Sequence, residues 1–160
     1  MEIIVVCHNI RSIHNVGSIF RTADAAGVAR IYLCGITPTP LDRFGKVRPD
    51  LAKVSLGAER YIAWESASDT TTLIKKLKNE GWRILALEQS KKSVPYNKIP
   101  KAYLASHNLC ILLGTEVDGL PPSLLKLADK VIEIPMFGKK ESLNVAVAFG
   151  VAIFGLRSSC

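Results

Sequence analysis

Short apolar runs alternate along the chain with stretches in which apolar residues recur at helical spacing. Such runs, when bounded by turn-forming residues, are typical of buried strands. They predict six strands, at 3–7, 31–34, 60–64, 82–87, 109–113 and 130–134. Strands that alternate with helices usually pair in parallel and are covered on both faces. The pattern therefore predicts an α/β fold built on a mostly parallel, doubly covered sheet.

The first predicted helix follows the first strand after a polar loop at 8–15. Its apolar positions share one helical face: Val16, Ile19, Phe20 and Ala23. Gly27 stands where a helix C-terminal glycine belongs. A loop that joins a strand's carboxyl end to a helix is where ligands bind in open α/β sheets.

Two polar residues mark this loop and helix. Asn15 stands at the start of the helix, and Arg21 lies roughly 140° around it from Val16, at about 100° per residue. An amide and a guanidinium in these places are suited to hold a phosphate or a ribose. They are equally compatible with a capping Asn15 and a surface Arg21 paired with Asp24.

Two later loops also leave strands and carry polar residues. In the loop at 113–122, Gly114 permits a tight turn or close approach to a ligand, and Glu116 is either a site carboxylate or a solvated side chain. The loop at 134–148 carries Ser142, a good helix N-cap, and Asn144. The final helix, predicted at 142–156, is apolar nearly all round and needs burial on every side, which predicts a homodimer interface.

Composition narrows the class of protein. The chain has 160 residues, of which 48% are hydrophobic, with a net charge of +7. We expect one domain, 1–160, with no separate nucleic-acid-binding domain. The basic charge favours a polyanionic partner, most commonly nucleic acid. The candidate residues for binding such a nucleic acid are Arg11, Arg43, Lys46, Arg48 and Lys53.

Cysteine and hydropathy patterns set the expected environment. The four cysteines and three histidines lack metal-ligand spacing, so no metal is expected. No signal peptide opens the chain, and the longest apolar run, 145–156, is too short to cross a bilayer. We therefore expect a cytoplasmic protein with no membrane partner.

Taken together, three segments closely resemble the SpoU/TrmH family of SPOUT-class RNA methyltransferases. The family's motifs match 15–27, 114–121 and 134–148, in order, and the similarity spans essentially the whole chain. The resemblance implies a C-terminal trefoil knot in a single-domain α/β fold. It also implies a homodimer that uses S-adenosylmethionine to methylate a ribose 2′-hydroxyl of tRNA or rRNA.

The resemblance assigns residues by position. The family's catalytic residues fall on Asn15, Arg21, Glu116, Ser142 and Asn144. Its contacts to S-adenosylmethionine, made largely by backbone, fall on Leu87, Gly114, Ile134, Met136 and Leu143.

Arg21 has two open roles, because arginine is normally fully protonated and is a poor base. Either it shares or loses a proton with an adjacent RNA phosphate, or it only anchors that phosphate and polarises the hydroxyl. Asn15 and Ser142 would position Arg21 and the phosphate. Glu116 and Asn144 would hold the loops or bond the ribose or base.

Two alternatives compete with an active RNA 2′-O-methyltransferase. One is a non-catalytic RNA-binding or ribosome-assembly module on the same fold. The other is a nucleotide-binding protein unrelated to RNA. The absence of the Gly-x-Gly-x-x-Gly fingerprint and of a P-loop, together with the basic charge, counts against the second alternative.

Overall fold

The computed structural model describes residues 1–158, and Cys160 lies outside them. These residues form one parallel sheet from β1 (Ile3–His8), β2 (Arg30–Cys34), β3 (Ala63–Ala67), β4 (Arg83–Leu87), β5 (Val94–Pro95), β6 (Leu109–Leu113) and β7 (Lys130–Glu133). The α-helices are α1 (Ile13–Ala25), α2 (Pro49–Ser55), α3 (Thr70–Asn79), α4 (Lys101–Ala105), α5 (Pro122–Leu125) and α6 (Val145–Ser158). The predicted α/β class is confirmed. The knot that the resemblance implies stays a prediction.

The strand order brings the site loops together. It reads β3-β2-β1-β6-β4-β7-β5, so the late strand β6 lies between β1 and β4, and β7 lies between β4 and β5. Because every pairing is parallel, the carboxyl ends of β1, β6, β4 and β7 lie at the same end of the sheet. The loops that follow these strands therefore lie next to one another.

The central strands are buried on both faces, as parallel sheets require. Along β1, Ile3, Val5 and Cys7 pack with α1 and α6, whereas Ile4 and Val6 pack with α3 and α5. Each face thus has its own apolar core, and β1 and β6 separate the two. No helix within residues 1–158 is both long and apolar enough to cross a bilayer.

Helix α1 begins one turn earlier than the capping hypothesis requires. Its N-cap is Ser12, whose hydroxyl accepts from the backbone N–H of Asn15 at 3.1 Å. The interpretation of Asn15 as the cap is therefore wrong, and its side chain is available for other contacts. The predicted apolar face is confirmed as buried, and Gly27 follows the helix in a left-handed conformation, φ +66°.

The strand prediction is wrong mainly at the sheet edges. The third strand is Ala63–Ala67 rather than 60–64, because a 3₁₀ turn occupies Ala58–Arg60. The two-residue strand β5 was not predicted. An edge strand has one neighbour and exposes much of its surface, so neither edge carries the apolar run that marks β1 or β6. The short helix α2 was also missed, within a basic segment.

The last helix begins at Val145 rather than at 142, and it is not buried on all sides of this single chain. Its exposed apolar residues follow one stripe, spaced by four and then three positions: Val147, Val151 and Phe154. These side chains are 54%, 39% and 49% exposed. The helix therefore leaves an apolar face uncovered within the protomer.

Helices α1 and α6 lie side by side and run in the same direction. Asn15 bonds Asn144 near the start of each helix, and the Thr22 methyl lies opposite Gly150 near the middle. Near their ends, Arg157 Nε donates to the carbonyl oxygen of Ala26 at 3.0 Å. Both helices pack on the same face of the sheet, so their outward sides form one continuous surface.

Candidate functional site

Glu116 holds the loop after β1 against the loop after β6. Its Oε1 accepts from the backbone N–H of Ser12 at 3.0 Å and from the Asn15 amide at 3.2 Å. Its Oε2 accepts from the backbone N–H of Arg11 at 3.1 Å. The carboxylate therefore has three donors, although the residue as a whole is exposed.

This arrangement stabilises the ionised form of Glu116. Partial burial alone would raise the pKa of the carboxyl, but the N–H groups of Ser12 and Arg11 and the Asn15 amide outweigh it and lower the pKa below 4.5. An ionised carboxylate with three donors is a weak base. The geometry favours a positioning role for Glu116 over a proton-accepting one.

The charge on Glu116 also fixes the orientation of Asn15. A carboxylate only accepts, so the Asn15 amide must present its nitrogen to Glu116 and its oxygen away from it. That oxygen accepts from Asn144 Nδ2 at 3.0 Å. Asn15 is buried, with 7% exposure, so water does not compete for the hydrogen bonds that fix the orientation of its amide.

Asn144 is the N-cap of α6. Its Oδ1 accepts from the backbone N–H groups of Ala146 at 2.9 Å and Val147 at 3.3 Å, which leaves its Nδ2 to face Asn15. The N-cap interpretation of Ser142 is therefore wrong, because Asn144 caps the helix. Glu116, Asn15 and Asn144 form one hydrogen-bonded chain, hereafter the amide chain, that joins all three sequence motifs.

The other two predicted catalytic residues lie outside the amide chain. Ser142 is exposed and lines the adjacent cavity. Arg21 is exposed on the outward side of α1, and within residues 1–158 it forms neither a hydrogen bond nor an ion pair, including with Asp24. The surface pair of Arg21 with Asp24 is therefore not observed. The structure brings together four of the five residues, and Arg21 lies apart.

A cavity of about 360 Å³ opens beside the amide chain, between the loops after β4, β6 and β7 and the first turn of α6. The predicted donor-binding residues that line it are Leu87, Gly114, Ile134 and Leu143. Met136, predicted for the same role, lies outside the lining. The size of the cavity falls in the range of roughly 300–1,000 Å³ that is typical of small-molecule sites.

Sequence reasoning missed Glu88, which shapes this cavity. Its Oε2 accepts from the backbone N–H of Leu120 at 2.8 Å, and its Oε1 accepts from that of Gln89 at 3.0 Å. Gly119 has φ +66°, and a Cβ there would collide with the Glu88 carboxylate. The available signal was its position, since Glu88 directly follows a buried strand.

Two glycines allow the loop after β6 to close tightly. A Cβ on Gly114 would lie 2.5 Å from the carbonyl carbon of Gly119, so only glycine permits this approach. Thr115 and Gly119 then bond each other's backbone at 3.1 and 3.2 Å. The loop is a compact turn with its two ends fixed, and it forms one wall of the cavity.

The five basic residues predicted to bind RNA differ in exposure. Arg11, Arg43, Lys46 and Lys53 are exposed. Arg48 is partly buried at the N-cap of α2, and its Nε is buried without a hydrogen-bond partner within residues 1–158. We infer that Arg48 also contributes to packing, whereas the other four face solvent.

Arg43 and Lys46 lie on a rigid turn that presents an aromatic ring. Asp42 Oδ1 accepts from the backbone N–H groups of Phe44 at 2.8 Å and Lys46 at 2.9 Å. Phe44 is 70% exposed, and the Arg43 guanidinium lies 4.7 Å from the centre of its ring. An exposed ring beside cations is suited to stack on a nucleic-acid base.

Comparison with known proteins decides the family. Residues 2–154 match the model of the SpoU rRNA Methylase family. The chain belongs to this family. A tRNA (guanosine(18)-2′-O)-methyltransferase of Aquifex aeolicus is 29% identical over 96% of the chain and 67% of its own length. A 23S rRNA (guanosine-2′-O-)-methyltransferase of Vibrio cholerae is 28% identical over 95% of the chain and 57% of its own length.

Two solved structures match the fold closely. An AdoMet-bound rRNA methyltransferase from Sinorhizobium meliloti aligns with a TM-score of 0.87 at 31% identity, over 98% of this chain and 56% of that one. The TrmH/SpoU tRNA-modifying enzyme of A. aeolicus aligns with a TM-score of 0.82 at 28% identity, over 99% of this chain and 75% of that one. The chain spans only part of the length of these relatives.

Proposed function

We propose that this protein transfers a methyl group from S-adenosylmethionine to a ribose 2′-hydroxyl of tRNA or rRNA. The observation that carries the proposal is the amide chain, which links the three motif segments and borders a ligand-sized cavity. Family membership supports the reaction class, and the relatives named above act on guanosines of tRNA or 23S rRNA.

The cavity lining fits S-adenosylmethionine. Apolar side chains from Leu87, Leu113 and Ile134 suit an adenine ring. The lining also contains three carboxylates, from Glu88, Glu116 and Glu133, and no lysine or arginine from the described part of the chain. A negative surround favours a ligand that carries ammonium and sulfonium charges.

When bound, the donor supplies a methyl group on a positively charged sulfur. The protein's residues must then orient the ribose hydroxyl toward that methyl and hold the adjacent phosphate. Asn15 and Asn144 each retain one amide N–H beyond the amide chain, and Ser142 offers a hydroxyl at the cavity. We assign these groups to the ribose and phosphate, with Glu116 as their support.

Arg21 acts, in this proposal, as a phosphate anchor rather than as a base. Its guanidinium is exposed and has no carboxylate partner within the described residues, so it is free to form a bidentate contact with a phosphate. Arg21 is not among the residues that line the cavity, and we propose that a second element brings the two together.

We propose that a homodimer provides this second element. The uncovered stripe of Val147, Val151 and Phe154 shares its surface with Arg21, because α1 and α6 lie side by side. Pairing two copies through this surface buries the stripe and sets Arg21 at the subunit boundary. An exposed apolar stripe of this kind is characteristic of protein–protein contact.

RNA capture is assigned to the exposed basic residues and to Phe44.

The buried thiols of Cys7, Cys34 and Cys110 are free, which is consistent with a reducing compartment, and we propose the cytoplasm.

The decisive experiment is transfer of labelled methyl from S-adenosylmethionine to total tRNA and to total rRNA, assayed separately. Alkali-resistant linkages in the labelled RNA would locate the methyl on a ribose. We expect label in one pool. Donor binding and RNA binding without transfer would support the non-catalytic module instead.

A further inference from the structure

A second cleft adjoins the donor cavity across the turn at 115–119. It has a volume of about 450 Å³, and Thr115 and Gly119 line both spaces. Its polar lining comes from His8, Asn9, Arg11 and Asp118, and Ile36 and Pro121 contribute apolar surface. A ribose presented to the donor cavity would direct its base to an adjacent space.

Asn9 is locked into the wall of this cleft. Its backbone has a left-handed φ of +51°, which is uncommon outside glycine, and such outliers often occur at functional sites. Its Oδ1 accepts from the backbone N–H of Ile36 at 3.1 Å, so its nitrogen must face His8 Nε2, at 3.3 Å. One N–H of the Asn9 amide remains for a ligand.

The same network fixes His8. Since Nε2 accepts from Asn9, the ring proton lies on Nδ1, which donates to Thr70 Oγ1 at 2.8 Å. Burial lowers the pKa of His8 below 6.5, against the opposing effect of the Asp69 carboxylate, which agrees with a neutral ring. The wall thus has a defined donor and acceptor pattern without bound RNA.

Asp118 contributes a carboxylate to the lining of this cleft. Its backbone N–H donates to Thr115 Oγ1 at 3.0 Å, which fixes it on the compact turn. Within residues 1–158 its carboxylate forms no hydrogen bond or ion pair. A preorganised turn therefore presents an acceptor that has no partner among the described residues.

We propose that this cleft receives the base of the target nucleotide and selects guanine. The inference rests on the proposed function, and it names the specificity element of that site. Asp118 accepts from the N1–H and 2-amino groups of guanine, which are adjacent donors on one edge. Arg11 and the free N–H of Asn9 are donors matched to guanine O6 and N7.

Adenine presents the wrong pattern to the same groups. Its N1 is an acceptor, so it would face the Asp118 carboxylate with no proton between them, and it has no 2-amino group. A site built to pair with donors disfavours an analogue that lacks them, because a desolvated acceptor is left unpaired.

The test uses mononucleotides as probes and the full chain saturated with S-adenosylmethionine. Binding of guanosine, adenosine and xanthosine 5′-monophosphates is followed by NMR shifts of the Asn9 side-chain amide. We expect the parent to prefer the guanosine nucleotide by at least about tenfold, the scale of one bidentate contact to a base edge.

Asp118→Asn should reverse this preference. Its amide keeps one acceptor and gains a donor, which matches xanthine, where a carbonyl replaces the 2-amino group. The variant should lose guanosine nucleotide binding by a similar factor and gain binding of the xanthosine nucleotide. Asp24→Asn, on the exposed surface of α1, makes the same chemical change away from the cleft and should preserve the parent's preference.

The outcomes separate this inference from the proposed function. Equal or absent binding of the guanosine and adenosine nucleotides, or an Asp118→Asn variant with the parent's preference, would overturn guanine selection while methyl transfer to RNA persists. Selective binding of the guanosine nucleotide without any methyl transfer would support the cleft and reject the transferase.

Discussion

Asn144 donates its side-chain amide to Oδ1 of Asn15 at 3.0 Å, across 129 residues of sequence. This bond joins the start of the last helix to the first turn of the first helix. Its direction follows from charge, since Glu116 must accept from Asn15 and the α6 N–H groups must donate to Asn144. One carboxylate therefore orients two amides.

Glu116→Gln should disturb the whole amide chain. A glutamine has one acceptor oxygen for donors that now bond two oxygens, and its own NH₂ would face an N–H group. We expect a loss of about 1–3 kcal/mol in the free energy of unfolding at pH 7, from an unsatisfied polar contact. Urea titration measures it, and Glu80→Gln, on an exposed ion pair, should cost little by comparison.

The effect of Glu116→Gln should depend on pH in a defined direction. Because folding lowers the pKa of Glu116, its contribution is fully present above the ordinary value of 4.5 and is lost as pH falls through the folded-state value. The stability difference between parent and variant should therefore be constant from pH 7 to about pH 4.5 and should narrow below it. A difference that widens on acidification would contradict the assigned charge state.

Arg21→Ala should separate catalysis from folding. Arg21 is exposed and forms no hydrogen bond or ion pair within residues 1–158, so the melting temperature and donor affinity should stay near the parent's. Methyl transfer to RNA should fall by at least about a hundredfold, the scale of a lost charge-positioning group. Arg21→Lys should restore little, because an ammonium lacks the planar fork of donors. Near-parental transfer by the alanine variant would remove Arg21 from the site.

A charge on the α6 stripe should break the proposed dimer. Val151→Arg puts a guanidinium in the centre of the stripe, where dimerisation would bury it unpaired. We expect a folded monomer by analytical ultracentrifugation. Ala148 and Ala152 are unsuitable positions, because Ala148 lines the donor cavity and Ala152 is fully buried within the protomer. A parent chain that is monomeric at micromolar concentration would contradict the dimer itself.

Neutralising Arg43, Lys46 and Lys53 together should weaken RNA binding across sequences. Each lost phosphate contact should reduce the slope of log affinity against log salt by roughly 0.7–0.9. Arg48 is left unchanged, because its partly buried side chain would confound binding with stability. Neutralising the exposed Lys75, Lys101 and Lys126 provides the matched control, and an equal effect there would show that only net charge matters.

Phe44→Ala should weaken RNA binding by a different mechanism. Loss of one base–aromatic stack costs about 1–3 kcal/mol, and no phosphate contact is removed. Affinity should therefore fall while the salt slope stays at the parent's value. Tyr61→Ala, which removes another highly exposed ring, is the control. Equal losses in both variants would indicate that RNA does not stack on Phe44.

The sequence predicted the buried parts of this fold better than its edges. Val16, Ile19, Phe20 and Ala23 pack as their spacing predicts, because burial imposes helical periodicity. The edge strands β3 and β5 are half exposed, so polar residues are tolerated at many of their positions. They therefore lack the apolar run that marks a buried strand. The sequence also predicted Ser142 as the N-cap of α6, whereas Asn144 is the N-cap in the structure. Both residue types suit an N-cap, so the local sequence does not distinguish them.

The site was predicted as a set of residues but not as an arrangement. The family resemblance assigned Asn15, Glu116 and Asn144 to the site, yet their hydrogen bonds depend on strand order. The insertion of β6 beside β1 brings Glu116 to Asn15, and no local pattern encodes that neighbour. Glu88 was missed for the same reason, because its partner Leu120 lies on another loop.

The strand order also has a consequence during protein synthesis. Within residues 1–158, the partners of β4 are β6 and β7, and the ribosome makes both later. Ile84, Leu85 and Ala86 therefore have no strand partner when they are first synthesised. One edge of β1 is also unpaired until Leu109–Leu113 is synthesised and pairs with both β1 and β4. Unpaired apolar edges are prone to aggregation. The nascent chain therefore leaves these strand edges unpaired until its last third has been made.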